Sequence, residues 1–347
     1  MEAYRGRVVL VTGGAGFIGS NLVDALLAHG ATVRVLDNLV TGKLENLAAA
    51  KESVTFIHGD IRDEDACAKA CADVDIVFHE AAMVSVPLSM EKPHENHANN
   101  ITGMLNVLVA AANAGVKRFV YASSAAVYGD RIELPKKETM PRHYPSPYAL
   151  SKGVDEDYAE LWASKATELG KGMTCIGLRY FNVYGPRQDP KSPYSGVISI
   201  FADRIRNNQD IAIFGDGENT RDFVFVGDVV QANLRAGVAD MAASAAPFAV
   251  YNVGTGGRTS LNKLADTMKG LTGSMSKTEY KPPRPGDIVH SQSSIKKIQK
   301  ALNYQPKFEL AVGLNLLLQS IPEAKKGGRG RGSSRRGKSA QPSYYLL

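Results

Sequence analysis

Val8-Val9-Leu10-Val11-Thr12-Gly13-Gly14-Ala15-Gly16-Phe17-Ile18-Gly19 passes from an apolar run through glycines into a helical pattern. Val8 to Val11 reads as a buried parallel strand, and Phe17 to Leu27 as an amphipathic helix opening directly from the glycines. In that context each glycine has a task. Gly13 allows the tight turn, Gly16 lets main-chain N–H groups approach a pyrophosphate at the helix N-terminus, and Gly19 lets helix and strand pack closely. Thr32 to Leu36 reads as the next strand and ends at Asp37, 18 residues after Gly19, where a carboxylate can accept both hydroxyls of a ribose. Asp37 is followed by Asn38 with no arginine beside it, so a 2′-phosphate would be repelled and NAD is expected rather than NADP.

A second motif, Pro147-Tyr148-Ala149-Leu150-Ser151-Lys152, precedes a helix-like stretch from Val154 to Ser164. Tyr148 and Lys152 are four apart and share a helix face, where the ammonium can stabilise a phenolate. A phenol titrating near 10 in water is a poor base at neutral pH, and neighbouring positive charge brings it toward the working range. Ser124, at the end of the strand-like Arg118 to Ala122, is the natural third member, its hydroxyl bridging the tyrosine and a substrate oxygen.

With these residues in view, the chain resembles an extended short-chain dehydrogenase/reductase, and within that group the UDP-sugar 4-epimerases, particularly those acting on N-acetylated sugars. The resemblance runs from about residue 6 to about 320. It is carried by Val11 to Ser20, Gly59-Asp60-Ile61-Arg62, His79-Glu80-Ala81-Ala82, Ser123-Ser124-Ala125-Ala126-Val127-Tyr128-Gly129, Arg179-Tyr180-Phe181-Asn182-Val183-Tyr184-Gly185-Pro186-Arg187 and Arg284-Pro285-Gly286-Asp287.

The resemblance implies that Tyr148 is the base, that Lys152 holds the nicotinamide ribose and lowers the tyrosine pKa, and that Ser124 completes the trio. Gly13, Gly16, Phe17, Ile18, Gly19, Asp37 and Asn38 would hold NAD along the first turn. Asp60 and Ile61 would sit by the adenine, Ala81 and Ala82 on the path to the nicotinamide, Asn99 near its ribose, and Phe181 by its ring. On the substrate side Asn182, Arg221 and Arg284 would hold the diphosphate, since planar guanidinium forks match phosphate oxygens. Gly196, Val197, Ala212, Ile213 and Phe214 would form the pocket for uracil and the near sugar. The implied reaction removes a proton from the 4-hydroxyl while the C4 hydride moves to NAD, turns the 4-keto sugar, and returns the hydride to the other face. A tightly held, non-exchanging cofactor is expected.

Departures narrow the chemistry. Related 4,6-dehydratases carry an acid and a glutamate directly after the catalytic Ser or Thr, and the decarboxylating relatives also place a glutamate in that turn; here Ala125 and Ala126 stand there. Ser291 occupies a position where enzymes restricted to UDP-glucose and UDP-galactose resemble a tyrosine, so there is room for an N-acetyl group and UDP-GlcNAc and UDP-GalNAc are expected beside the neutral sugars. Val84 replaces the lysine or glycine of related enzymes near the sugar. UDP-glucuronate stays open as a substrate, as do net oxidation or reduction of a nucleotide sugar, and a nucleotide-fold binding protein using its tail for nucleic acid. A complete Ser124, Tyr148 and Lys152 set argues against a pure binder.

At 347 residues, 44% hydrophobic and 22% charged, the chain can bury one large core with a smaller lobe appended. Strand-like runs at Thr55 to His58, Ile76 to His79, Phe119 to Ala122, Thr174 to Arg179 and Val250 to Val253 alternate with helical patterns, which implies an α/β, Rossmann-like doubly wound parallel sheet. The expected division is an NAD-binding domain over 1–181 with 222–253 returning to it, a substrate-binding lobe over 182–221 and 254–322, and a basic tail over 323–347. Lys325 to Leu347 hold seven Lys or Arg and no acid; without these charges the formal +6 becomes −1. This arginine-glycine composition cannot build a core and is read as a solvated extension, nucleic acid being the alternative partner.

Cys67, Cys71 and Cys175 are read as packing residues, neither a disulfide framework nor metal ligands, and His79 as a packed strand-end histidine. No metal site is expected. No run approaches a membrane span and no signal peptide opens the chain, so a cytoplasmic protein is expected. The resemblance also implies a homodimer paired through two helices per subunit, for which the helical stretches around Asn100 to Ala114 and Asp155 to Lys165 could serve.

Overall fold

Alternate residues of the apolar strands enter two different cores, which is why these strands read as unbroken hydrophobic runs. In the computed structural model, which describes residues 2–168, 172–190, 196–240, 247–283 and 288–321, β1 (Val8–Thr12) sends Val9 and Val11 to one face and Leu10 to the other. β4 (Ile76–His79) and β5 (Arg118–Ser124) divide in the same way, with Phe78 and Val120 on the first face and Val77, Phe119 and Tyr121 on the second. With β2 (Thr32–Asp37), β3 (Val54–His58), β6 (Thr174–Tyr180) and the strand Phe248–Val253 they form a seven-stranded sheet. Its order is Phe248–Val253, β6, β5, β4, β1, β2, β3, and every pairing is parallel. Helices cover both faces, as a parallel sheet requires. Those over Phe17–Ala28 and Val226–Gly237 pack on the first, and those over Glu64–Cys71, Gly103–Asn113 and Pro147–Glu168 on the second.

The strand order reverses between β1 and β4, so a crevice opens there at the carboxyl ends of the strands, the usual position for a ligand in such a sheet. A third core gathers Tyr184, Phe201, Ile205, Ile213, Phe225, Met268 and Leu317. It joins the helices Val197–Arg206, Leu261–Thr272 and Leu310–Ser320 to the parallel pair Ile211–Phe214 and Thr278–Lys281. The chain crosses back to the large sheet at Val226, whose side chain lies in this third core while Val229 and Val230 lie in the first.

Two boundaries differ from the sequence reading. The helix expected to begin at Val154 begins at Pro147, because proline fits a first helical turn whose N–H has no intrahelical partner. Strand β5 runs two residues past Ala122, so Ser124 is its last residue. The three cysteines are buried and free, and burial pushes the thiols of Cys67, Cys71 and Cys175 up to about 12. Among the described residues no His, Cys, Asp or Glu cluster could hold a metal ion, and no helix is long and apolar enough to cross a membrane. The basic tail lies outside the described residues.

Candidate active site

The glycine turn is fixed by what surrounds it. Gly13 has φ +66, and a Cβ there would stand 2.8 Å from the main chain of Ala81. A Cβ on Gly19 would stand 2.2 Å from the carbonyl oxygen of Gly13. The helix Phe17–Ala28 begins after an extended Gly16 and has no side-chain cap, so its first turn presents N–H groups and a positive dipole end toward the crevice. Asp37 closes the turn from the side, its Oδ2 accepting from Ala15 N at 2.9 Å and its Oδ1 from Leu39 N at 2.8 Å. A carboxylate has about four lone-pair sites, so two stay available to ribose hydroxyls. Asn46, which the sequence reading passed over, donates to Ala15 O at 2.8 Å and braces the same loop. Asn38 donates to Asp60 Oδ2 at 2.9 Å, and Arg62 grips Asp60 with two hydrogen bonds that hold its carboxyl well below the usual range. Ile61 is buried in the second core, and its carbonyl accepts from Cys67 Sγ at 3.3 Å and Asn106 Nδ2 at 3.1 Å. This cradle, with no room for side chains and an uncapped helix end, fits a dinucleotide.

Across the crevice, Ser124 ends β5 in register with Tyr180, and its Oγ accepts from Ala126 N at 3.1 Å. Tyr148 is 8% exposed and its N–H donates to Ser89 Oγ at 3.1 Å, so the first turn of its helix is held from outside. Lys152 lies one turn on, buried, with its Nζ 3.2 Å from Asp155 Oδ2. Burial raises the Asp155 carboxyl to about 6 even though Lys152 pulls the other way.

Asn99, named from the resemblance, donates to Glu95 O at 2.8 Å and is partly exposed. Its neighbour Asn100 is the buried one. Asn100 Oδ1 accepts from Met83 N at 2.7 Å and its Nδ2 donates to Ser151 Oγ at 3.1 Å, tying the Ala81–Ala82 loop to the helix of Tyr148. A π-helical turn over His97–Thr102 aims it there, and no spacing rule separates the two asparagines beforehand.

His79 is confirmed in position as a packed residue. Its Nδ1 is 2.9 Å from Thr12 Oγ1, its ring stacks 6.0 Å from Phe119, and burial lowers its pKa to about 3. Glu80 was not singled out from sequence. It accepts from Tyr180 Oη at 2.8 Å, Tyr180 accepts from Asn233 Nδ2 at 2.7 Å, and burial raises the Glu80 carboxyl to about 7 against the pull of Tyr180 and Lys152. Because its folded-state pKa lies above the ordinary 4.5, Glu80 favours the folded form fully below that value. That contribution fades as pH rises to about 7 and is gone above it. Glu80→Gln is therefore expected to flatten the fall in stability between acid and alkaline pH, by about 3 kcal/mol. Urea unfolding of both proteins at several pH values checks it; parallel curves would refute the assignment.

The second lobe faces this edge. Asn182 is exposed beside the buried Phe181. Arg221 donates from Nη1 to Thr220 O at 3.0 Å and Val289 O at 3.3 Å. Ser291 N donates to Thr220 O at 3.0 Å, so Ser291 lies alongside Arg221 and is partly exposed. Asp222, also unremarked in the sequence, is fully buried and accepts from Thr255, Gly256 and Ser293, clamping these segments together. Along Ile211–Phe214, Ala212 and Phe214 are partly open while Ile211 and Ile213 are buried in the lobe core, so Ile213 can offer a ligand its main chain only. Gly196 and the partly buried Val197 open the helix Val197–Arg206, which has no side-chain cap, and Val84 is 66% exposed on its loop. Arg284 lies outside the described residues.

Residues 9–254 match the model of the NAD dependent epimerase/dehydratase family. The chain is 42% identical over 309 residues to a putative UDP-glucose 4-epimerase of Methanocaldococcus jannaschii, covering 88% of this chain and 96% of that one. It superposes on the crystal structure of UDP-glucose 4-epimerase with UDP-glucose from Thermotoga maritima with a TM-score of 0.83 at 39% identity, over 90% of this chain and 98% of that one. Against UDP-N-acetylglucosamine 4-epimerase from Methanobrevibacter ruminantium in complex with UDP-N-acetylmuramic acid the TM-score is 0.84 at 36% identity, over 91% and 98%.

Proposed function

Because the chain belongs to the NAD-dependent epimerase/dehydratase family, we propose that it interconverts UDP-hexoses at C4, taking UDP-GlcNAc and UDP-GalNAc as well as UDP-glucose and UDP-galactose. The observations that support this reading are that Ser124 ends β5, that Tyr148 and Lys152 lie one turn apart on the helix Pro147–Glu168 packed on the same sheet, and that the Lys152 ammonium is close enough to act on Glu80 and His79 beside the carboxyl end of β4. The Gly13 to Gly19 turn and Asp37 would hold NAD, which when bound would supply a reversible hydride acceptor for C4. Tyr148 removes the proton of the 4-hydroxyl as base, with the Lys152 ammonium on the same helix face stabilising the phenolate. Ser124 donates to the sugar oxygen and steadies it between the two. Asn182, Arg221 and Arg284 grip the diphosphate and leave the hexose free to turn, after which Tyr148 returns the proton to the C4 oxygen as that carbon is reduced from its other face. The proton and hydride both come back to the sugar, so no co-substrate is consumed.

The test is NMR of the purified protein with UDP-GlcNAc, UDP-glucose and UDP-glucuronate separately, without and with added NAD. The C4 epimer without net NADH is the expected result; NADH accumulating with no epimer would replace this reading with net redox chemistry. Ser291→Tyr should lower kcat/KM for UDP-GlcNAc by about tenfold to a hundredfold while sparing UDP-glucose, the size of discrimination steric exclusion gives. Equal loss on both sugars would remove Ser291 from the selectivity argument. The helix of Tyr148 also exposes Leu150 and Leu161, at 46% and 49%, which supports a homodimer formed through this face and is checked by light scattering in solution.

A further inference from the structure

Glu156 lies one turn beyond Lys152 and two beyond Tyr148, on the same face of the helix. Its Oε1 accepts from Ser123 Oγ at 2.6 Å and Arg179 Nε at 2.8 Å, and its Oε2 from Arg179 Nη2 at 2.7 Å. Arg179 Nη1 donates to Tyr128 Oη at 2.9 Å, and Tyr128 Oη donates to Asn252 Oδ1 at 2.7 Å. Asn252 Nδ2 then donates to Lys136 O at 2.9 Å. Lys136 N donates to Gln292 O and Ser294 N to Lys136 O, each at 2.8 Å. All of Glu156, Ser123, Arg179, Tyr128 and Asn252 are buried.

The two ends of this chain carry the argument. One end touches the helix of Tyr148 and Lys152 and the residue preceding Ser124; the other holds the segment that begins next to Ser291. A buried ion pair contributes little net stability over apolar packing of the same shape, so stability alone does not account for it. A hydrogen-bonded chain does constrain distances between the elements it joins. We propose that the Glu156, Arg179, Tyr128 and Asn252 chain sets the separation between the proton-transfer trio and the Ser291 segment, making these four positioning residues for sugar selectivity. The proposal rests on the epimerase reading.

Tyr128→Phe removes the one hydroxyl that joins Arg179 to Asn252 and keeps the ring. Native-state hydrogen exchange is expected to speed up by about tenfold at the Lys136 and Ser294 amides, with Val11 and Val120 in the sheet unchanged. The ratio of kcat/KM for UDP-GlcNAc to that for UDP-glucose is expected to shift by about threefold or more. Unchanged exchange at both amides overturns the proposal, and so does faster exchange with an unshifted ratio. If Tyr128→Phe does not fold, Glu156→Gln breaks the chain at its other end and carries the same two measurements. Should the wild-type protein make no epimer, the epimerase reading fails by itself, and the exchange rates still decide whether the helix and the Ser291 segment are coupled.

Discussion

Tyr148→Phe will leave a folded protein that still holds NAD and turns over its sugar nucleotide about two to four orders of magnitude more slowly, the range that a positioned acid–base group supplies. The ring is 8% exposed and stays in place, because the bond from Tyr148 N to Ser89 Oγ is made by the main chain and Asn100 ties Ser151 from the other side. Only the phenol oxygen is lost. The deficit should therefore appear in kcat with KM little changed, since the diphosphate grip is untouched. Initial rates by NMR over a range of UDP-glucose concentrations, together with the nicotinamide released on denaturation, measure both parts. A variant with more than about a tenth of wild-type kcat would show that another group takes the proton, and Glu80, titrating near 7 behind the same edge, would be the first to examine.

The residues that were legible in the sequence are those whose requirement is local. The turn from Val8 to Gly19 is set by chain direction and lack of space, and Tyr148 with Lys152 by helix periodicity. Strands buried on both faces appear as apolar runs, so the parallel sheet followed from them. What stayed hidden depends on partners far along the chain. Asn99 and Asn100 are interchangeable by spacing, and only the π-helical turn tells which one reaches Met83 and Ser151. Glu80 looks like an ordinary surface acid until Tyr180, 100 residues on, is brought against it. Asp222 gathers donors from segments more than thirty residues away, and Ile213 proves to be a core residue because its strand pairs with Thr278–Lys281. The third core as a whole is assembled from pieces on both sides of the strand Phe248–Val253, so no single window of sequence displays it.

Gly19→Ala will separate the two properties that glycine usually trades against each other. In an exposed helix Gly→Ala gains roughly 1 kcal/mol from propensity, and Gly270, in the helix Leu261–Thr272 with nothing within 4 Å of its would-be Cβ, should show that gain as a higher Tm. At Gly19 the same methyl group would stand 2.2 Å from Gly13 O and 2.9 Å from Gly14 Cα, both main-chain atoms that no rotamer change can move aside. The turn must shift outward, costing about 1–3 kcal/mol as overpacking does. Outward movement also pulls Gly13 away from Ala81 and disperses the N–H groups that face a pyrophosphate, so cofactor retention should fall more steeply than stability. The expected result is a protein purified with less than about a tenth of the wild-type NAD content, set beside a Gly270→Ala control with full content. Equal NAD in both would mean that the turn tolerates the methyl group and that the close packing of helix on turn is not what presents the cofactor site.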